Sequence, residues 1–409
     1  MVGDKLNRSR LLIRTYCLQP YARSEAHIRA LADAGVDYLC ATPADGKLLD
    51  LCDKYGIGVF ATGILPSWWG GDGDNAGTLA SEIPVARYEE AARRFVDHPA
   101  LWGVDMGDEP SALDFPHYGR LFEAARRLFP RQLPYLNLYP NYASVPENTD
   151  SQRRSQLGVP DYQTYIDEYV RCVKSDYICY DYYMYATSIA GAYENLRVVA
   201  DKCRGTGRDL WIVLQVNSNR PSEWMSLSQL RHQAYTALAF GARSINWACW
   251  TAGWWHNQVL DDAGRPTRQY ARICAVNREL HAMGARYMRY RNRATHFIGS
   301  IPADRLAGVG QAAEPGFSAG PFRDVRVEEG FGAVIGHMTD ADGARDALMA
   351  ADVSGREEAA YLRFRKAGLK PAALLNGLPV PVLRVGPDEY RVRLEPCSGL
   401  LIEQADSEK

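Results

Sequence analysis

The stretch Leu101-Trp-Gly-Val-Asp-Met-Gly-Asp-Glu-Pro110 is a short apolar run that ends on a glycine and is followed by two carboxylates and a proline. The run has the length of a buried strand, and the proline cannot extend it. A carboxylate at the carboxyl end of a buried strand is where an α/β barrel holds its reactive groups. The alternative is that Asp108 and Glu109 only cap the next helix, whose N-terminus favours negative charge.

The same alternation of a short apolar run and an amphipathic helix occurs eight times between residues 10 and 288. The apolar runs cover residues 11–18, 36–41, 57–62, 101–106, 133–139, 177–183, 210–216 and 244–250. The helical segments cover residues 24–34, 46–55, 85–97, 118–128, 162–173, 190–202, 227–240 and 267–283. Apolar strands between helices indicate a parallel sheet covered on both faces. Eight units predict an α/β fold of the (β/α)8 TIM-barrel class, and no glycine-rich phosphate fingerprint supports the competing doubly wound sheet.

The pattern changes after residue 290, where helical periodicity gives way to short alternating runs between turns. We therefore predict a barrel over residues 1–290 and a small antiparallel, β-sandwich-like domain over residues 291–409. Asn376-Gly377 is a hairpin signal. Residues 303–330 are rich in Gly, Ala and Pro, which is typical of a loop or linker.

Composition excludes several classes of protein. The chain has 409 residues and a net charge of −2, so a nucleic-acid partner is not indicated, and it contains no 18-residue apolar run that would span a membrane. The N-terminus lacks the apolar core of a signal peptide, and the nine scattered cysteines form no CxxC motif, so we expect a reduced, cytoplasmic protein. No cofactor is expected, and a homo-oligomer is left open.

Polar and aromatic side chains follow strands 3 to 8, whose ends meet at one rim of a barrel. They are Trp68 and Trp69; Asp108 and Glu109; Asn137, Tyr139 and Asn141; Asp181, Tyr182 and Tyr183; Gln215 and Asn217; and Trp250, Trp254, Trp255 and His256. Carboxylates and amides that bind hydroxyl groups, beside rings that stack on a sugar face, favour a carbohydrate ligand. His256 is the one histidine near this rim and no lysine ends a strand, so neither an imidazole metal site nor Schiff-base chemistry is indicated.

Glycoside hydrolysis requires two carboxyl groups, and Glu109 with Asp181 is the natural pair. Glu109 is predicted to be the general acid, and Asp181 the second catalytic group. The substrate-binding residues are predicted to be Asp108, Asn137, Tyr139, Asn141, Tyr183, Gln215, Trp68, Trp250, Trp254, Trp255 and His256. Packing alone is the alternative for the tryptophans, and a structural role is the alternative for Gln215.

These motifs resemble those of the clan A glycoside hydrolases, in which the strand 4 acid/base glutamate follows an asparagine. Here Asp108 takes the place of that asparagine. More closely, the chain resembles a β-galactosidase-like branch of uncharacterised bacterial barrel proteins. The motifs that carry this resemblance are Gly107-Asp-Glu-Pro110, Asn137-Leu-Tyr-Pro-Asn141-Tyr-Ala143, Tyr180-Asp181-Tyr-Tyr183, His232-Gln233-Ala-Tyr235, Ala237-Leu-Ala-Phe-Gly241-Ala242, Asn246-Trp-Ala-Cys-Trp250, and Thr267 to Tyr270 before Asn277.

One departure from the family matters for the chemistry. Clan A enzymes carry a nucleophilic glutamate at the end of strand 7, where this chain has Gln215, and Glu223 lies eight residues further on. The second carboxylate is then Asp181 or Glu223. Three hypotheses follow: a hydrolase of small or terminal glycosides, a carbohydrate-binding barrel without hydrolysis, and a sugar lyase or isomerase.

Overall fold

A computed structural model describes residues 9–70, 73–91, 93–148, 154–310, 312–368 and 370–404. Its first part is a barrel of eight parallel strands. The strands are β1 Leu12–Tyr16, β2 Tyr38–Pro43, β3 Gly58–Thr62, β4 Leu101–Asp108, β5 Leu133–Asn137, β6 Tyr177–Tyr182, β7 Asp209–Gln215 and β8 Ala242–Ala248. Each pairs with its sequence neighbours, β1 also pairs with β8, and the Leu138–Tyr180 bridge joins β5 to β6 and closes the ring. The predicted TIM barrel is confirmed.

Helices cover the outside of this barrel and begin at residues that cap them. They are α1 Glu25–Asp33, α2 Gly46–Lys54, α3 Val85–Glu90, α4 Phe115–Leu128, α5 Tyr162–Cys172, α6 Ile189–Thr206, α7 Leu227–Ala239 and α8 Arg268–Tyr287. The α7 N-terminus is a capping box, in which Ser226 and Gln229 satisfy each other's backbone N–H groups. Within the described ranges, no helix has the length and apolar character that a bilayer span requires.

The third helical segment is shorter than predicted. The pattern predicts a helix over residues 85–97, but α3 ends at Glu90. Ala91 is extended and Phe95 has a φ of 60°, which are conformations that an α-helix does not contain. The apolar residues beyond Glu90, Phe95 among them, pack on the barrel core from an irregular segment, which explains why their spacing resembled a helix.

The second part is a pair of antiparallel sheets, so the predicted β domain is also confirmed. One sheet contains β9 Tyr290–Gly299, β12 Gly332–Asp340, β13 Asp346–Asp352, β19 Gly399–Gln404, β15 Pro371–Leu375 and β16 Leu378–Val380 in that order, and the other contains β10 Phe317–Ala319, β11 Phe322–Val327, β14 Ala360–Lys366, β18 Glu389–Leu394 and β17 Leu383–Arg384. Asn376 and Gly377 both have positive φ and join β15 to β16, so the hairpin signal was correct.

The interpretation of residues 303–330 as a linker was wrong in its second half. This segment contains β10 and β11, which form a hairpin at the edge of the second sheet. Phe317, Phe322 and Val325 are buried in the core between the two sheets. Their burial holds the segment in place, although Gly, Ala and Pro dilute the alternation that marks a strand.

The two parts share one continuous hydrophobic core. The first sheet places one face against the barrel helices, where Met349 and Leu401 join the barrel's own core residues. At the same junction, Arg286 of α8 forms an ion pair of 2.6 Å with Glu403, and the Tyr290 hydroxyl donates to that carboxylate at 2.8 Å. The β domain therefore packs on the side of the barrel.

Candidate active site

A cavity of about 420 Å³ opens at the carboxyl ends of the barrel strands. Its lining comes from the ends of β1, β2 and β4 to β6 and from the loops after the short Trp68–Trp69 strand, β5 and β8. The lining residues are Tyr16, Cys17, Ala41, Trp69, Asp108, Glu109, Asn137, Tyr142, Asp181, Tyr183, Trp254 and Trp255. Three carboxyl groups and six aromatic rings thus face one space, and the described lining contains no Lys, Arg or His.

Glu109 is held at this rim in a strained backbone conformation. Its φ is 47°, in the left-handed region that costs a non-glycine residue about 1–3 kcal/mol. Its N–H donates to the Asn137 carbonyl at 2.9 Å, and the Trp69 Nε1–H donates to its Oε2 at 3.4 Å. Gly70 is required here, because a Cβ at that position would lie 1.7 Å from the Glu109 carbonyl oxygen. The surrounding structure therefore fixes the direction of the Glu109 side chain.

Asn137 joins the other two carboxylates. Its Nδ2 donates to Asp108 Oδ1 at 3.0 Å and to Asp181 Oδ1 at 2.7 Å, so one amide group uses both of its hydrogens on the pair. Burial raises the pKa of Asp108 to about 6. Burial, with the nearby Asp108 charge, raises the pKa of Asp181 to about 7. The amide hydrogen bonds favour the ionised forms and limit both rises.

A chain of contacts through the barrel interior orients that amide. The Cys179 thiol donates to Asn137 Oδ1 at 3.4 Å, and Arg14 Nη2 donates to the same sulfur at 2.8 Å. Arg14 is fully buried, and its guanidinium lies 5.0 Å from the Tyr135 ring centroid and 5.1 Å from that of Trp211. Rings and sulfur solvate the cation in place of a carboxylate. Because Asn137 Oδ1 is engaged from below, its Nδ2 is directed at the carboxylates.

Aromatic rings form the opposite wall of the cavity. Tyr183 contacts Trp254 and Trp255 at centroid distances of 5.9 and 5.1 Å, and Tyr16 meets the edge of Trp254 at 6.3 Å. Asn217 secures this loop, since its Nδ2 donates to the Trp254 carbonyl at 2.8 Å. Trp69 leaves 59% of its surface exposed. Apolar ring faces opposite carboxylates match the two kinds of surface on a sugar.

Gln215 does not line the cavity. Its Oε1 accepts from the Tyr185 and Ala186 N–H groups at 3.0 and 3.2 Å, and its Nε2 donates to the Asn217 carbonyl at 3.0 Å. The side chain thus holds the loops after β6 and β7 together, which corrects the interpretation of Gln215 as a substrate ligand. Glu223 is also outside the cavity, where it forms an exposed ion pair with Arg220 at 2.8 Å.

Five more of the predicted substrate-binding residues are not part of the cavity lining. Trp250 and Tyr139 are buried, and Trp68 is partly buried beneath the rim. Asn141 Nδ2 donates to Glu194 at 3.1 Å, away from the lining. His256 is exposed, and its backbone pairs with Ser218. These residues follow strand ends as predicted, but their side chains point into the core or along the surface.

Sequence reasoning missed Tyr16, Cys17, Ala41 and Tyr142. The first three lie at the ends of β1 and β2. The rule that strand ends meet at one rim would have found them had it been applied to all eight strands. Tyr142 lies in the loop after β5, and its ring packs on Tyr182 at a centroid distance of 5.4 Å. Among the residues that the structure describes, no three His, Cys, Asp or Glu side chains form a group that could hold a metal ion.

No protein-family model and no curated protein matches the chain. Solved structures do match. A family 39 glycoside hydrolase from the gut symbiont Bacteroides cellulosilyticus WH2 has a TM-score of 0.53 at 11% identity, over 98% of this chain and 83% of that chain. An α-amylase from Geobacillus thermoleovorans, complexed with acarbose, has a TM-score of 0.50 at 11% identity, over 98% and 99%. A putative α-galactosidase from Bacteroides fragilis NCTC 9343 has a TM-score of 0.50 at 10% identity, over 98% and 80%. At these identities the similarity shows the fold.

Proposed function

We propose that this protein is a glycoside hydrolase that acts on a small or terminal glycoside. In this proposal Glu109 protonates the leaving oxygen and Asp181 is the second carboxylate. The observation that supports it most is the cavity itself, in which Glu109 and Asp181 line one enclosed space together with stacking rings. Glycoside hydrolysis needs two carboxyl groups on either side of the scissile bond.

The environment of Asp181 suits a general base. A base is most effective when its pKa lies near the working pH, and burial with the Asp108 charge brings the pKa of Asp181 to about 7. Asp108 tunes Asp181 by its charge, and Asn137 fixes the distance between the two groups. Asp181 then acts on a water molecule or directly on the anomeric carbon.

The proposal also concerns the kind of sugar. The described cavity lining carries carboxyl groups and no cationic side chain, which favours neutral sugars over uronic acids. A place in the β-galactosidase-like branch of barrel proteins rests on the sequence motifs alone. We therefore include β-galactosides among the first substrates to be tested.

The test is a screen of aryl glycosides (β-galactoside, β-glucoside, arabinoside and fucoside) with wild type, Glu109→Gln, Asp181→Asn and Glu223→Gln. Acid–base groups contribute about 10²–10⁴-fold to rate, so we expect losses of that size in the first two variants and none in the third, because Glu223 lies outside the cavity. Proton NMR of the first-formed anomer then separates inversion from retention. Full activity of Asp181→Asn would refute the proposed pair.

A second candidate function is carbohydrate binding without hydrolysis. It is favoured by one observation: the amide of Gln215, at the position where clan A enzymes carry the nucleophile, is engaged by backbone groups. In that case no aryl glycoside is turned over, while calorimetry detects sugar binding that Glu109→Gln alters only in affinity.

A further inference from the structure

We propose that Cys17 is a reactive thiol in the cavity and that Cys249 is the partner with which it forms a disulfide on oxidation. Cys17 follows β1, and Cys249 follows β8, the strand paired with β1. Their role as a modification site rests on the thiol geometry and is independent of the proposed hydrolase activity.

The backbone brings the two residues side by side. Beyond the ends of β1 and β8 the chains stay paired, because the Trp250 N–H donates to the Tyr16 carbonyl at 2.9 Å and the Thr251 N–H donates to the Cys17 carbonyl at 3.2 Å. Both sulfurs face Gly253, where an added Cβ would lie 2.9 Å from Cys17 Sγ and 3.0 Å from Cys249 Sγ. The glycine leaves the space in which the two thiols meet.

The two thiols differ in the way that a nucleophile and a resolving partner differ. Cys17 is half-buried and lines the cavity, whereas Cys249 is fully buried behind it. A hydrogen bond from the Cys249 thiol lowers the pKa of Cys17, while burial raises the pKa of Cys249. Because the thiolate is the nucleophile, these shifts assign attack to Cys17.

A peroxide is the oxidant class that fits this arrangement. The Cys17 thiolate attacks one oxygen of hydrogen peroxide, the O–O bond breaks, and hydroxide leaves, which gives a sulfenic acid on Cys17. Cys249 sulfur then attacks the Cys17 sulfur, the S–O bond breaks, and the hydroxyl leaves as water with the Cys249 proton. Two electrons pass from the dithiol to the peroxide. A sulfenic acid or an alkyl group on Cys17 occupies space that a ligand in the cavity needs.

The first test measures the alkylation rate of each cysteine in the native protein with limiting iodoacetamide at pH 7, by peptide mass spectrometry. Cys172, Cys274 and Cys397 are matched internal controls, since they are also half-buried but have raised pKa values. We expect Cys17 to react at least tenfold faster than any of the three. An equal or slower rate at Cys17 would overturn the proposal, and this readout requires no variant and no enzyme activity.

The second test treats the protein with one equivalent of hydrogen peroxide. Wild type should give a Cys17–Cys249 cross-linked peptide and lose 2 Da, which dithiothreitol reverses. Cys249→Ala should stop at a Cys17 sulfenic acid that dimedone traps. A cross-link between other cysteines, or oxidation that ignores Cys17, would exclude this pair. Protection of Cys17 from alkylation by galactose is a separate measurement that tests the carbohydrate site, so failure of one proposal is distinguishable from failure of the other.

Discussion

Asn137→Leu is expected to raise the pKa of Asp181 and to move the activity of the protein toward higher pH. Leucine has nearly the shape of asparagine, keeps water out, and removes the Nδ2 hydrogens that lie 2.7 Å from Asp181 Oδ1 and 3.0 Å from Asp108 Oδ1. Those hydrogens stabilise the ionised carboxylates, so their loss favours the protonated forms. The backbone carbonyl of residue 137, which accepts from the Glu109 N–H, is retained.

The magnitude follows from the hydrogen bonds. A hydrogen bond to a charged group contributes about 1.5–3 kcal/mol, and one pKa unit corresponds to about 1.4 kcal/mol, so a rise of about one to two units is expected. Starting from a pKa of about 7, the ionised fraction of Asp181 at neutral pH falls from about one half to between about one tenth and one hundredth. The acid limb of the kcat/KM profile should move upward by the same amount.

The assay is the pH dependence of kcat/KM, combined with ¹³C NMR titration of the aspartate carboxyl groups, which needs no turnover. Asn141→Leu is the matched control, because Asn141 follows the same strand but donates to Glu194 outside the cavity, and it should leave both curves in place. If the Asp181 titration stays where it is in wild type, or moves to lower pH, the assignment of Asn137 as the group that holds this pair ionised is incorrect.

Three further predictions test other parts of the site. Because Asp181 has a folded-state pKa above its unfolded value, its ionisation destabilises the fold as pH rises through that range; Asp181→Asn should therefore raise Tm more at pH 8 than at pH 4, by up to about 4 kcal/mol, and equal shifts at both pH values would refute this. Gly70→Ala should lower kcat/KM by about 10²-fold, because the new Cβ displaces the Glu109 carbonyl, whereas Gly205→Ala in α6, with open space around it, should leave activity intact; equal activities would disprove the role of Gly70. Galacturonate should bind at least tenfold more weakly than galactose by calorimetry, since the cavity is lined by three carboxyl groups, and comparable affinities would contradict the proposed selectivity.

The barrel could be predicted because its signal is repeated eight times and each repeat is locally consistent. An apolar run such as residues 210–216 has no other stable place than a strand covered on both faces. The hairpin at Asn376-Gly377 was predictable for a similar reason, since positive φ at two successive residues is a local property. The segment around β10 and β11 was not, because its strands are fixed by burial of Phe317 and Phe322 between sheets that form far along the chain.

The candidate site divides along the same line. The position of a residue at a strand end is readable from sequence, and it placed Glu109, Asp181 and Trp254 in one cavity. The direction of a side chain is set by tertiary partners that sequence does not show. Gln215 lies at a strand end but turns to the N–H groups of Tyr185 and Ala186.

Arg14 makes the floor of the cavity a single unit for evolution. Its guanidinium depends on the Cys179 sulfur and on the Tyr135 and Trp211 rings, and the orientation of Asn137 depends in turn on Cys179. Substitutions within such a network are not additive, so a change at one position is tolerated only when others change with it. New substrate specificity is then reached more easily through the loops that carry Trp69 and Trp254 than through the strands beneath them. A library that randomises those loops and leaves the floor intact should retain far more folded, active members than one that does the reverse.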